Sequence, residues 1–241
     1  MNQKIKKPKI LLPGLMEQFS FLKKNIEFTN GNILVIGSHS EYVASELANS
    51  SNSRVFLINH NHESLTLSRI NLGKNKSVIT RMMEYENTDF KDDMFDIVYA
   101  QGSISIKNRK KITKEIFRIL KPYGVFCCGE LIKTDEELPR FITDLWNRTG
   151  VDGIFIKQVN DFYTSAGFNI VKQADLSQTL KEFYEIYQSL FLSMKSELTE
   201  EEIHYQRKLF DRLNHEINIY LKLGGLKHIG FHALLLRKEM N

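Results

Sequence analysis

Short apolar runs alternate with helical segments along the first half of the chain, and this alternation fixes the class of fold. Residues 32–37 read Asn-Ile-Leu-Val-Ile-Gly, a β-branched apolar run closed by glycine. A strand that is apolar at nearly every position has to be buried on both faces. Comparable runs stand at 54–58, 95–100 and 125–131, with a weaker one at 77–82. Between them, residues 41–48, 63–72 and 109–120 read as helices. Leu65, Leu67 and Ile70 carry the second of these, and Gly73 ends it. Ile112, Ile116, Phe117 and Leu120 repeat at helical spacing in the third, which Pro122 and Gly124 stop. A further helix is predicted at 15–25 from Leu15, Phe19, Phe21 and Leu22. Doubly buried strands joined by helices build a mostly parallel, doubly wound α/β sheet with helices on both faces. The spacing excludes a β-sandwich or a helical bundle, and no solenoid-length repeat is present.

The second half has a different rhythm. A short helix at 160–166 precedes Gly167, and 168–174 reads as a sixth strand. Residues 177–223 form a long helical stretch, expected as two helices broken near 196–199, where Thr199 and Glu202 make a capping box. Gly224-Gly225 ends it, and 230–237 is a final strand. The chain thus reads as one domain: an N-terminal helical segment (1–30), an α/β core (31–175), a helical cap insertion (176–225) and a final strand (226–241). An insertion there would lie over the carboxyl ends of the strands, where open α/β sheets bind ligands.

Composition removes several alternatives. With 42% hydrophobic residues and sixteen Phe among 241, the chain has ample material for a core and is not disordered. The net charge of +4 is too small to call for a nucleic acid. Lys4, Lys6, Lys7 and Lys9 read as a solvated arm, and Lys107, Arg109, Lys110 and Lys111 as a solvated helix start. Cys127 and Cys128 are neighbours on a strand, point to opposite faces and cannot readily bridge. They read as small core residues in a reducing compartment. No metal-ligand spacing occurs, and His39, His60 and His62 read as polar loop residues. No run reaches the roughly 18 apolar residues of a spanning helix, and no signal-type segment opens the chain. The expectation is a cytoplasmic protein without membrane or nucleic-acid partners.

Three segments carry a family resemblance. Residues 89–99 read Asp-Phe-Lys-Asp-Asp-Met-Phe-Asp-Ile-Val-Tyr, and 115–124 read Glu-Ile-Phe-Arg-Ile-Leu-Lys-Pro-Tyr-Gly. Together they resemble the F-x-D-x-x-F-D-x-V and E-x-x-R-x-L-K-P-x-G block of class I S-adenosylmethionine-dependent methyltransferases. Ser165-Ala166-Gly167-Phe168 is similar to the A-G-F that precedes the sixth strand there. The resemblance runs from about residue 31 to residue 237. It implies a seven-stranded sheet with the last strand antiparallel, S-adenosylmethionine as cofactor and a small-molecule acceptor under the cap. A homodimer is left open.

The resemblance also assigns residues. The first-strand loop, acidic-x-Gly-x-Gly-x-Gly in the family, reads Val35-Ile36-Gly37-Ser38-His39-Ser40-Glu41, and only Gly37 survives. Side chains at glycine positions narrow a pocket, and Glu41 is expected to set negative charge near the cofactor's carboxylate. Asn59 takes the place of the acid that accepts both ribose hydroxyls, and His60 follows it. A neutral acceptor contributes about 1 kcal/mol where a charged one contributes roughly 1.5–3, so weaker cofactor binding is expected. Glu84 and Tyr85 stand at the adenine position. The expected cofactor contacts are therefore Gly37, Ser38, His39, Asn59, His60, Glu84, Tyr85 and Ala100. Gln101, Trp146, Tyr184 and Tyr187 are candidates for the acceptor pocket, and Arg148 could pair with an anionic acceptor group. No His or Glu stands between Gln101 and Ile106, so no catalytic base is assigned. Transfer to an already nucleophilic atom needs an in-line approach more than a base. Two functions follow. One is a methyltransferase acting by direct displacement. The other is a catalytically inactive methyltransferase fold that binds or scaffolds, or one that holds a different nucleoside.

Overall fold

The chain enters helix α1 (Leu15–Asn25) through Gly14, whose φ of 85° belongs to the left-handed region. Strand β1 (Asn32–Ile36) follows, then α2 (Glu41–Ser50), β2 (Arg54–Asn59), α3 (His62–Leu72) and β3 (Val78–Met82). Next come β4 (Phe95–Gln101), α4 (Arg109–Ile119) and β5 (Leu120–Lys133). Helix α5 (Arg140–Thr149), the two-residue β6 (Ile154–Phe155), α6 (Val159–Ser165) and β7 (Phe168–Asp175) lead to the cap. The cap is α7 (Thr179–Ser196), α8 (Glu200–Tyr205) and α9 (Arg207–Leu221), and β8 (Ile229–Lys238) completes the sheet. This computed structural model describes residues 8–28 and 30–239. Lys4, Lys6 and Lys7 of the basic arm lie outside them.

The strands lie in the order β3-β2-β1-β4-β5-β8-β7, with β6 beside the end of β5. All neighbouring pairs are parallel except those of β8, which runs antiparallel to both β5 and β7. The expected doubly wound sheet with an antiparallel last strand is what the chain forms. Chain order reverses direction at β1, flanked by β2 and β4. That is the switch point at which an open sheet offers a crevice.

Period-two alternation splits the core between the two sheet faces. Val35, Leu57, Tyr99 and Cys127 pack with α1, α2 and the cap, while Leu34, Phe56, Val98 and Cys128 pack with α4 and α6. Both cysteines are buried and unbridged, on opposite faces as expected. The signature residues turn out to be fold clamps. Asp96 accepts hydrogen bonds from the backbone N–H of Asn32 at 2.8 Å and from Lys121 Nζ at 2.8 Å, tying β1, β4 and the start of β5 together. Arg118 bridges Asp92 at 2.5 Å and Glu115 at 2.6 Å, and Glu115 accepts from Thr88, so the loop before β4 is bound to α4.

Four expectations change. The cap holds three helices rather than two, because the chain breaks a second time at Gln206, where no glycine, proline or capping side chain announces it. The first break carries the capping box of Thr199 and Glu202 as read. Helix α5 was not foreseen, although Ile142, Leu145 and Trp146 repeat at helical spacing behind Pro139. Strand β5 pairs from Leu120 to Lys133, longer at both ends than the apolar run. Finally, Arg109 is not a solvated residue: it is 7% exposed and pairs with Glu130 at 3.1 Å.

Candidate functional site

The crevice begins where β1 ends. Gly37 has a φ of 120°, and a Cβ there would sit 2.6 Å from Ser103 Cβ, so only glycine fits. Ser103 Oγ donates to the Ile36 carbonyl at 2.7 Å and holds the loop after β4 against this turn. His39 follows with a φ of 63°, left-handed and solvent-exposed, and Ser38 is half-buried. Ser40 precedes α2, yet its buried Oγ caps nothing and has no protein partner among the described residues.

At the end of β2, Asn59 is fully buried. Its side-chain amide lies 3.3 Å from Ser68 Oγ, which in turn lies 2.5 Å from Glu41 Oε1. One amide atom, Nδ2, has no partner among the described residues. Glu41 is therefore tied to α3, not left loose toward a cofactor carboxylate as its position in the loop suggests. His60 is exposed and meets the edge of the Tyr85 ring at 5.8 Å, while burial pushes the Tyr85 hydroxyl pKa up. Glu84 is exposed.

At the end of β4, Ala100 is buried, and its carbonyl accepts from Gln18 Nε2 at 2.9 Å. Gln101 is spent on structure. Its Oε1 accepts from Tyr99 Oη at 2.6 Å, and its Nε2 donates to the carbonyls of Pro13 and Leu15 at 2.9 and 2.8 Å. That bond set latches the N-terminal segment across the crevice.

Beside the β1 loop opens a cleft of about 670 Å³. His39, Glu41 and Tyr42 form one wall, Phe183, Tyr187 and Glu216 of the cap form another, and Lys9 and Leu12 close it. The Phe183 and Tyr187 rings are near parallel, 6° apart in plane and 6.0 Å between centroids. Lys9 Nζ donates to Tyr42 Oη at 3.2 Å. Burial raises the pKa of the Glu216 carboxyl against the opposing pull of Arg212, and burial raises that of Tyr187 as well.

Of the four acceptor-pocket candidates only Tyr187 lines this cleft. Trp146 and Tyr184 are buried in packing: Trp146 Nε1 donates to Tyr220 Oη at 2.8 Å, and the Tyr184 and Tyr220 rings stack at 4.3 Å. They anchor the cap to the sheet. Arg148 is exposed and donates to its own helix at the Asp144 carbonyl. Tyr42, Phe183 and Glu216 were not read as site residues. Phe183 and Tyr187 stand one helical turn apart, a signal that the sequence does carry. Glu216 gives none, because its place depends on how α9 returns against α7.

A second polar group lies on the opposite sheet face. Glu130 is fully buried and accepts from Tyr163 Oη and Ser105 Oγ, each at 2.5 Å, beside Arg109. Among the described residues no group of three or more His, Cys, Asp or Glu could hold a metal.

Known proteins fit this picture. A family described as "Methyltransferase domain" matches residues 34–128, the run from β1 to the middle of β5. A ubiquinone/menaquinone biosynthesis C-methyltransferase UbiE of Rickettsia massiliae is 28% identical over 225 residues, covering 88% of this chain and 74% of that protein. Phosphoethanolamine N-methyltransferase 2 of Haemonchus contortus, solved with S-adenosyl-L-methionine, superposes with a TM-score of 0.77 at 16% identity, covering 93% of this chain and 52% of that one. The [4+2]-cyclase SpnF superposes at 0.74 with 16% identity, covering 93% and 80%. These two structures share the fold. Orphaned buried polar atoms at Ser40 and Asn59, beside a turn that admits only glycine, fit a polar nucleoside cofactor at the ends of β1 and β2. The strand order, the clamp residues and the curated relatives agree in supporting a class I S-adenosylmethionine-dependent methyltransferase.

Proposed function

We propose that this chain transfers a methyl group to a small molecule held between the β1 loop and the cap. The observation that carries the reading is a shared wall: His39 and Glu41, next to the Gly37 turn, face the same space as Phe183, Tyr187 and Glu216. A cofactor on the loop and an acceptor under the cap would meet there. Bound S-adenosylmethionine supplies an electrophilic methyl on a positively charged sulfur. The protein's part is to hold the acceptor in line and keep water out. Phe183 and Tyr187 offer a flat apolar slot, and Glu216 gives it one polar end. The cleft volume lies within the range of small-molecule pockets, roughly 300–1,000 Å³. The relative's name, a C-methyltransferase of quinone biosynthesis, supports an acceptor of that size. The two unbridged cysteines support a reducing, cytoplasmic setting.

Titration calorimetry with S-adenosylmethionine and S-adenosylhomocysteine tests the first half. The expected result is saturable binding, and no heat at millimolar ligand overturns it. Incubation with methyl-labelled cofactor and a small-molecule extract tests the second half, with label expected in a low-molecular-weight product.

A binding or scaffold protein on this fold, or one holding another nucleoside, is the second reading. It is favoured by His39 and Glu41 at loop positions that resemble glycine sites, and by the neutral Asn59. The likeness to a cyclase is in keeping with a fold that hosts more than one task. Label transfer excludes this reading.

A further inference from the structure

We infer that Ser68 of α3 and Glu41 of α2 orient Asn59 as an acceptor for the ribose hydroxyls of the cofactor, so that the negative charge acts one hydroxyl away from the strand end. The inference rests on the cofactor reading above. Ser68 Oγ lies 2.5 Å from Glu41 Oε1 and 3.3 Å from Asn59 Oδ1. A hydroxyl has one proton, and the short contact to a carboxylate takes it. With Oδ1 toward Ser68, the remaining contact is between two acceptors, and Nδ2 is a buried donor without a partner among the described residues. Half a turn of the amide exchanges the two atoms in place. Nδ2 then donates to Ser68 Oγ, Ser68 donates to Glu41, and Oδ1 becomes the free atom. Free Oδ1 accepts, and ribose hydroxyls donate.

The surroundings favour this direction. Asn59 and Ser68 are fully buried and Glu41 is 9% exposed, so the bonds form away from competing water. A chain of hydrogen bonds that ends on a charge strengthens each link. The same arrangement makes an aspartate at 59 a poor replacement, since two carboxylates would then face one hydroxyl across a buried gap.

Calorimetry with S-adenosylhomocysteine and with its analogue lacking both ribose hydroxyls separates this role from a merely structural one. The wild-type chain is expected to prefer S-adenosylhomocysteine by about tenfold, the size of one to two hydrogen bonds. Ser68→Ala should lose most of that preference while binding the analogue as the wild type does, and Ser68→Thr, which keeps the hydroxyl, should retain it. Asn59→Asp should weaken S-adenosylhomocysteine binding at neutral pH, and adding Glu41→Gln should restore it. Equal weakening of both ligands in Ser68→Ala, or tighter binding in Asn59→Asp alone, overturns the inference. A wild-type chain that binds neither ligand overturns the cofactor reading itself.

Discussion

His39 sits in the left-handed region without being glycine, at the lip of the cleft. Such a residue costs of order 1 kcal/mol, offset in part by the extra unfolded-state freedom that glycine would bring. His39→Gly is therefore expected to gain about 0.5 kcal/mol, read as a rise of roughly 1–2 °C in melting temperature, and to tighten S-adenosylhomocysteine binding by widening the loop. Glu216 pays in the other direction. Burial disfavours its charged form and raises its pKa, so its carboxylate weakens the fold above that raised value and does not below the ordinary value near 4.3. Glu216→Gln should be more stable than the wild type at pH 7, with the difference fading as the pH falls toward about 4. Thermal melts across that range check it, and a pH-independent difference would show that Glu216 is not desolvated in the cleft wall. Gly37 and Tyr187 could be picked out from sequence because each carries a local mark, a strand-ending glycine and an aromatic at helical spacing. Arg109 could not. Its lysine neighbours are solvated, and its burial is explained by partners distant in sequence, Glu130 and Asp152.

Element by element, the parallel strands were legible because their apolar runs are continuous and doubly buried. The less regular pieces escaped. Helix α5 covers the sheet with only three buried side chains, and β6 is two residues long. The loop between β3 and β4 has no regular structure and depends on ion pairs with α4. Burial alone would raise the Glu115 pKa, but bonds from Arg118 and Thr88 outweigh it and hold it below the ordinary value. Stability from this carboxylate is thus complete above its unfolded pKa, about 4.3, and is lost as the pH falls through the lower folded value. Glu115→Gln should cost about 1–3 kcal/mol at pH 7 by leaving Arg118 and Thr88 short of a partner. It should also flatten the loss of stability between about pH 5 and 3. Denaturant titrations at several pH values measure both effects. An unchanged acid slope would show that the loop is held by something else.

For the molecule as a whole, the family resemblance follows from topology and clamp residues, whereas the acceptor depends on a cleft that forms only when the cap, the β1 loop and the N-terminal segment meet. No spacing in the sequence announces that meeting, since its walls come from both ends of the chain. The latch at Gln101 controls one of those walls. Gln101→Ala removes the donor for two carbonyls and the acceptor for Tyr99, and should cost about 1–3 kcal/mol. It should also speed proteolytic cleavage around residues 8–14. Cleavage at the wild-type rate would show that the segment is held chiefly by its apolar contacts.

Strand β8 has one more consequence. It comes last in chain order among the described strands and yet lies inside the sheet, with β5 on one side and β7 on the other. Its Phe231 also packs under Gly14, so closely that a Cβ on that glycine would lie 2.4 Å from the ring. A nascent chain therefore carries two open strand edges and an unseated N-terminal segment until β8 has left the ribosome. The fold closes late, through contacts between opposite ends of the sequence, which is a slow kind of closure. A chain clipped or stalled before residue 229 would present those edges as templates for aggregation.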